Sequence, residues 1–284
     1  MEKSELIQVQ LASGVASNSF SFSPAHPLEP LTAQEVARTT AILKAQDKVT
    51  STTRFVSVSL KEPPKELIHA GGDPSPPREA FVVLFDNAAN SCYEATLSLA
   101  TGELLAYRHV PGVQPTMTID EQEECEQAVL QSPEFKAALQ KHCGIDDTSL
   151  VMVDIWSAGN YGSEEDAARR LARPLCFVRS DPTDNGYVRP IEGLRPVVDL
   201  NEMRVIRVEE YGHWPLPPGE CNYAAARVPK QRTDVRSIEI TQPEGPSFEV
   251  QGNQVRWQNW SFVIGFNARE GLTLHHLRYG DPGQ

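Results

Sequence analysis

The chain has 284 residues, of which 40% are hydrophobic and 23% charged, with 18 Gly and 22 Pro. At about 100 to 200 residues per domain this is two domains or more, and the balance excludes disordered, collagen-like and coiled-coil chains. Lys and Arg number 26 against 38 Asp and Glu, a net charge of -12. That excludes a general phosphate-binding surface and makes nucleic acid an unexpected partner, while it favours solubility and would attract a cationic ligand such as an amine.

The first twenty residues, MEKSELIQVQLASGVASNSF, lack the basic region, apolar core and cleavage site of a secretory signal. Apolar runs such as Phe81 to Phe85 fall far short of the roughly 20 residues that span a bilayer. No membrane association and a cytoplasmic location are therefore expected. The cysteines, Cys92, Cys125, Cys143, Cys176 and Cys221, are odd in number, widely spaced and without a CxxC pair. They read as mostly buried free thiols.

Residues 1–23 are nonperiodic and read as a flexible leader. Thr32-Ala33-Gln34-Glu35 is a capping box, and Val36, Thr40 and Leu43 continue one face of a helix of about 12 to 16 residues. Four strands are predicted next, at 54–60 (with Val56, Val58 and Leu60 alternating), 80–85, 93–99 and 104–110. In the third, Tyr93, Ala95, Leu97 and Leu99 should face the core, and Glu94, Thr96 and Ser98 solvent. Asp86 to Asn90 and Ala100 to Glu103 suit hairpin connections, whereas GGDPSPP (71–77) must be a loop.

The same order then repeats. Thr118-Ile119-Asp120-Glu121 is a second cap, followed by Cys125, Ala128 and Val129 on one face. Ser132-Pro133-Glu134 restarts the helix ahead of Phe135, Ala138 and Leu139. Strands are predicted at 150–156, 175–179, 196–200 and 203–208. The pattern predicts two successive α+β domains, each a helix on a four-stranded antiparallel sheet, at 24–112 and 113–214. A Pro-rich run reads as an extended linker over 215–236. From 237 to 284, strands at 248–250, 255–265 and 272–277 carry an aromatic-rich face of Trp257, Trp260, Phe262 and Phe266, the start of an incomplete β-sandwich.

The histidines, His26, His69, His109, His142, His213, His275 and His276, form no HxH, HxxH or HExxH spacing, and adjacent His275 and His276 should point to opposite faces of a strand. Neither GxSxG, GxxxxGK[ST] nor a GxGxxG after a strand occurs. Acidic clusters at Asp120 to Glu126 and Glu164 to Asp166 are explained by helix starts and solvation. The residues by themselves supply no catalytic, cofactor-binding or metal-binding set.

ITQPEGPSFEVQGNQVRWQNWSFVIGFNAREGLTLHHLRYGD (240–281) closely resembles the opening of the catalytic domain of copper amine oxidases. HPLEPLTAQEV (26–36) resembles the start of that family's first cystatin-like domain, and VDIWSAGNYG, PLCFVR and DNGYVRPIEGL its second. The resemblance implies tandem cystatin-like domains and a homodimer in the complete protein. Its activity would be the oxidation of primary amines to aldehydes, with copper and topaquinone as cofactors. The catalytic Asp, the Asn-Tyr-Asp/Glu quinone precursor and the three copper-binding histidines of the family have no counterpart in this chain, which is expected to be inactive alone. Asn222-Tyr223 is followed by Ala224, and Asn160-Tyr161 by Gly162, so neither is a quinone precursor. Trp156 and Tyr187 fall where the family's substrate-channel aromatics stand, with packing or a surface turn as their simpler role. The alternative function is a non-catalytic cystatin-like interaction or regulatory module.

Overall fold

The computed structural model describes residues 26–70, 76–159, 164–219, 222–224, 226–228, 230 and 232–281. The expected leader, most of the GGDPSPP loop, Asn160-Tyr161 and parts of the linker lie outside the described residues.

In the first unit, α1 (Ala33–Ala45) begins at a closed capping box: the Glu35 N–H donates to Thr32 Oγ1 at 3.2 Å and the Thr32 N–H to Glu35 Oε2 at 2.8 Å. Strands β1 (Thr53–Lys61), β2 (Glu79–Asp86), β3 (Ser91–Ser98) and β4 (Leu104–Val110) form an antiparallel meander in chain order. Leu43 is buried against Val82, Leu84, Ala95 and Leu97. Full burial of each of these leucines and the valine contributes about 1.5–3 kcal/mol. A short helix that the sequence pattern did not suggest, α2 (Lys65–Ala70), joins β1 to β2.

Three details differ from expectation. The buried hydroxyl of α1 is Thr39 rather than Thr40, and it donates to the Glu35 carbonyl. A bulge between Phe55 and Ser57 makes Val56 the extra residue, so Phe55 and Val58 take the core positions. Thr96 and Ser98 are buried, not solvent-facing, because Thr96 sits on a central strand between Phe81 and Ala106 and Ser98 Oγ accepts the turn's Thr101 N–H.

The second unit starts with α3 (Ile119–Gln131) and α4 (Pro133–Cys143), which meet at Ser132 as predicted from Pro133. Ser132 accepts the Phe135 N–H, and Gly144 ends α4 in the left-handed conformation. Their inner faces pack Cys125, Val129, Phe135, Ala138 and Leu139 against the strands. Those strands are β5 (Val151–Asp154), β6 (Leu171–Ala172), β7 (Leu175–Val178), β8 (Leu194–Asp199) and β9 (Arg204–Glu210), with a one-turn helix α5 (Glu164–Ala167) before β6.

The expected four-stranded sheet is present in broken form: β5 pairs with β7, and β6, β8 and β9 form a second sheet. Bridges Ser157 to Ala172 and Phe177 to Pro190 connect the two, so 171–178 and 189–199 act as interrupted single strands. Pro174 and Pro190 lack the N–H that a ladder needs, and Gly193 turns the chain at φ +81°. A Cβ at Gly193 would lie 2.4 Å from the Gly212 carbonyl oxygen.

Both capping glutamates have a further partner. Arg78, immediately before β2, donates to Glu35 at 2.6 and 3.0 Å and to the carbonyls of Pro27, Glu29 and Pro30. Arg170, immediately before β6, donates to Glu121 at 2.8 and 2.9 Å, to the carbonyls of Pro115 and Thr116, and to Gln114 Oε1. The same clamp thus occurs at the same place in both units. Arg170 and Glu121 are 4% and 1% exposed, so this pair is fully desolvated. Its guanidinium lies 4.5 Å from the Phe85 ring centre, across the junction with the first unit. There Asn87, in the β2–β3 turn, donates to Glu121 Oε1 and Asn201 Oδ1, and Arg54 pairs with Asp120 and Glu124.

Past Glu210 the described residues hold no helix or strand until β10 (Phe248–Gln251), β11 (Gln254–Trp257), β12 (Trp260–Asn267) and β13 (Gly271–Tyr279), a meander in chain order. The run predicted as one strand over 255–265 is two, because Gln258-Asn259 forms a tight hairpin with Gln258 at φ 54°. Register places Val250, Val255, Trp257, Trp260, Phe262, Ile264, Phe266, Leu272 and Leu274 on one face of this sheet, and Gln254, Arg256, Ser261, Val263, Gly265, Thr273 and His275 on the other. The second face meets the first unit.

Burial alone would push the carboxyls of Glu35 and Glu121 up, but hydrogen bonds from Arg78 and Arg170 and from the cap N–H groups hold both below the ordinary 4.5. A depressed folded value makes the clamps' stabilisation complete above about pH 4.5 and removes it as the pH falls through the folded values. Arg170→Met is expected to cost about 3–5 kcal/mol in urea unfolding at pH 7, because it strands a buried carboxylate. Arg170→Met combined with Glu121→Met should cost clearly less than the sum of the two single changes.

Candidate functional site

The two aromatics singled out as channel residues stand on the outer side of the β5–β7 ribbon. Inward, Val151, Val153, Cys176 and Val178 join the core; outward, Met152 pairs across from Phe177. The Trp156 carbonyl, just past β5, accepts the Arg173 N–H at 2.8 Å. Its indole N–H donates to Asp154 Oδ2 at 3.2 Å. Tyr187 lies in a single 3-10 turn, Gly186–Val188, where Asn185 Oδ1 accepts its N–H. Its ring meets Phe177 edge-on with centres 5.0 Å apart. A Cβ at Gly186 would lie 2.3 Å from Met152 Sδ, so any larger residue there makes the Met152 side chain move. Both side chains are 57% exposed, and among the described residues Trp156 and Tyr187 make no ring contact with each other.

Beside this ribbon opens a cavity of about 470 Å³, lined among others by Phe177, Pro190, Ile191, Arg195, Tyr211 and Trp214. Tyr211 and Trp214 were not singled out from sequence. Their signal is the aromatic pair in YGHWP, at the edge of the Pro-rich run. Trp214 is seated by two glycines, since a Cβ at Gly193 or Gly212 would come 2.6 Å from its ring. The Tyr211 hydroxyl donates to Glu209 Oε2 at 2.5 Å, which pushes the phenol up. The lining suits an apolar or aromatic group; the Cys176 thiol belongs to it, and burial pushes that thiol up.

Cys92, Cys125, Cys143 and Cys176 are free thiols; Cys221 lies outside the described residues. Burial, with Glu121 and Glu126 adding to it, pushes the Cys125 thiol up to about 12. Burial raises Cys176 further and Cys143 as well. None is an activated thiolate. Tyr223 is exposed and followed by Ala224, while Asn222 is held by Thr183 Oγ1 at 2.9 Å. Among the described residues, no group of three His, Cys, Asp or Glu side chains is arranged to hold a metal ion. No described helix is long and apolar enough to cross a membrane.

Three family models match consecutive parts of the chain: the copper amine oxidase N2 domain over 26–110, the N3 domain over 120–225 and the enzyme domain over 249–283. The chain belongs to the copper amine oxidase family. It is 42% identical over 259 residues to a primary amine oxidase of Arthrobacter sp. (strain P1), covering 91% of this chain and 39% of that protein. It is 38% identical to the peroxisomal N-methylputrescine oxidase 1 of Nicotiana tabacum and 35% to the histamine oxidase of Arthrobacter globiformis, covering 38% of each. The fold matches a copper-containing benzylamine oxidase from Hansenula polymorpha with a TM-score of 0.77 at 22% identity, over 89% of this chain and 42% of that one. The chain thus spans about two fifths of the length of these relatives.

The described residues do not fit copper: among them no three His, Cys, Asp or Glu side chains are arranged to hold a metal ion. No chemical step through the metal follows from them. For the two outer aromatics, Tyr187→Ala is expected to lose about 0.5–1.5 kcal/mol of stability with the Phe177 contact. Trp156→Ala should stay within about 0.5 kcal/mol, as an exposed side chain does. Thermal unfolding of the two variants measures the difference.

Proposed function

We propose that the protein to which this chain belongs oxidises primary amines, RCH2NH2 with O2 and water giving RCHO, NH3 and H2O2. The carrying observation is the enzyme-domain match over 249–283, directly after the N2 and N3 matches. Relatives named as oxidases of amines support the substrate class. Copper and topaquinone would supply the redox chemistry, held by residues other than those described in this chain. The residues present here do something else: they present exposed aromatics and begin the enzyme domain. Trp156 and Tyr187 are read as part of the wall along which the amine enters, where Asp154 accepts the indole N–H.

The terminal sheet supports the same reading physically. Its apolar face is open, with Phe266 71% and Leu272 67% exposed, more apolar surface than an isolated soluble unit usually shows. Its occupant is read as the remainder of the enzyme domain, laid on it as the second layer of a β-sandwich. A homodimeric assembly of the complete protein and a cytoplasmic location belong to this proposal.

On this reading, the 284-residue chain supplied with Cu(II) releases no peroxide from benzylamine or phenethylamine and gives no quinone stain. Peroxide above a copper-only blank, or a quinone on a tyrosine of this chain, overturns it. The same chain should bind a hydrophobic dye, and Phe266→Lys with Leu272→Lys should lower that signal at least severalfold without lowering the unfolding temperature.

A further inference from the structure

Histidines meet where the polar face of the terminal sheet contacts the first unit. His276 meets the ring of His26 with centres 5.7 Å apart and the ring of His69, on α2, at 5.5 Å. Its neighbour His275 hydrogen-bonds Thr273 Oγ1 at 2.9 Å and places Nδ1 3.5 Å from Glu62. Across the same junction the Asn253 N–H donates to Glu29 Oε1 at 3.4 Å. Neither Val255 nor Val263, the buried residues of this sheet, joins a hydrophobic cluster with the first unit among the described residues.

Two adjacent strand residues normally point to opposite sides. Here both reach the first unit, because a bulge in β13 sets His276 at φ 51°. The cost of that conformation for a residue with a Cβ is of the order of 1 kcal/mol. It brings His276 into contact with two more imidazoles, and its Nε2 is buried without a hydrogen-bond partner. The charged or titratable groups that face the cluster are His26 and Glu29 from the segment before α1, Glu62 just past β1, His69 from α2 and His275 of β13. Arg256 of β11 lines the adjoining cavity of about 250 Å³, as does Arg278 of β13. Near His276 itself the neighbours are His26, His69 and Arg278, all cationic when charged.

We propose that His26 and His276, packed with the ring of His69, form an acid-sensitive latch: with His26 and His276 neutral the terminal sheet docks on the first unit; with them protonated it is released. Burial, then Arg278 and the other two rings, depress His276; burial depresses His26 against the pull of Glu29, with Arg278 and His275 adding to the depression. A histidine whose docked value lies below the free value of 6.5 is neutral in both states at high pH. Docking is therefore strongest above about pH 6.5 and weakens as the pH falls below it, until the docked values are passed. Each depressed histidine steepens the change by at most about tenfold per pH unit.

The test follows the 284-residue chain from pH 8 to pH 5.5 by small-angle scattering, with histidine ring NMR and with amide exchange at Asn253 corrected for intrinsic rates. The expected result is a compact chain at pH 8 that expands on acidification, in step with the ring titrations and with at least tenfold faster Asn253 exchange. His276→Leu should leave docking intact at pH 8 and shift the transition to lower pH with a shallower slope. His276→Arg should be undocked already at pH 8. Dimensions and Asn253 exchange that do not change with pH overturn the latch. So does a His276→Leu transition identical to the parent's, because acid expansion would then arise elsewhere.

Discussion

A guanidinium held by one carboxylate and several main-chain carbonyls is the constraint on which both N-terminal units depend. In each, the carboxylate is the third residue of a helix cap, so a single glutamate closes the helix start and fixes the arginine at once. The arginine in turn gathers the segment that leads into the helix. A buried ion pair is costly to make and more costly to break from one side. Here the cost is met because nearly every donor of the guanidinium has an acceptor. Around Arg170 the arrangement also joins the two units, since Phe85 and Asn87 belong to the first and Glu121 and Asn201 to the second.

Much of this architecture is legible in the residues. Both capping boxes, the Pro133 restart and the first-unit strands follow from local chemistry that tertiary structure does not override. The missed features are those in which a residue answers to a distant partner. Arg78 and Arg170 look like ordinary surface arginines until the fold brings Glu35 and Glu121 to them. The Asp86–Asn90 turn has good hairpin chemistry, yet Asn87 and Asn90 also bind the second unit, which no hydrophobic period reports. Gln258-Asn259 lacks the glycine that usually marks a two-residue hairpin, so flanking tryptophans made one strand of two.

The surface aromatics were less legible than the fold. Trp156 and Tyr187 are recognisable only through resemblance, and their exposure agrees with a channel wall or a surface turn alike. Tyr211 and Trp214 escaped notice because nothing periodic surrounds them; only the close approach of Gly193 and Gly212 to the indole makes that seat. The terminal sheet divides its chemistry between faces. One side is built mainly from hydrocarbon and aromatic rings, while the other mixes imidazole, guanidinium and amide with Val263.

Arg78 and Arg170 grip their leading segments by carbonyl oxygens, an atom that every amino acid supplies. The route of those segments is consequently written largely in two arginines, with the Gln114 amide the side chain that Arg170 also holds. Such a segment can change its outward residues freely, to meet a new neighbour or a new solvent, while its course through space stays where the guanidinium put it.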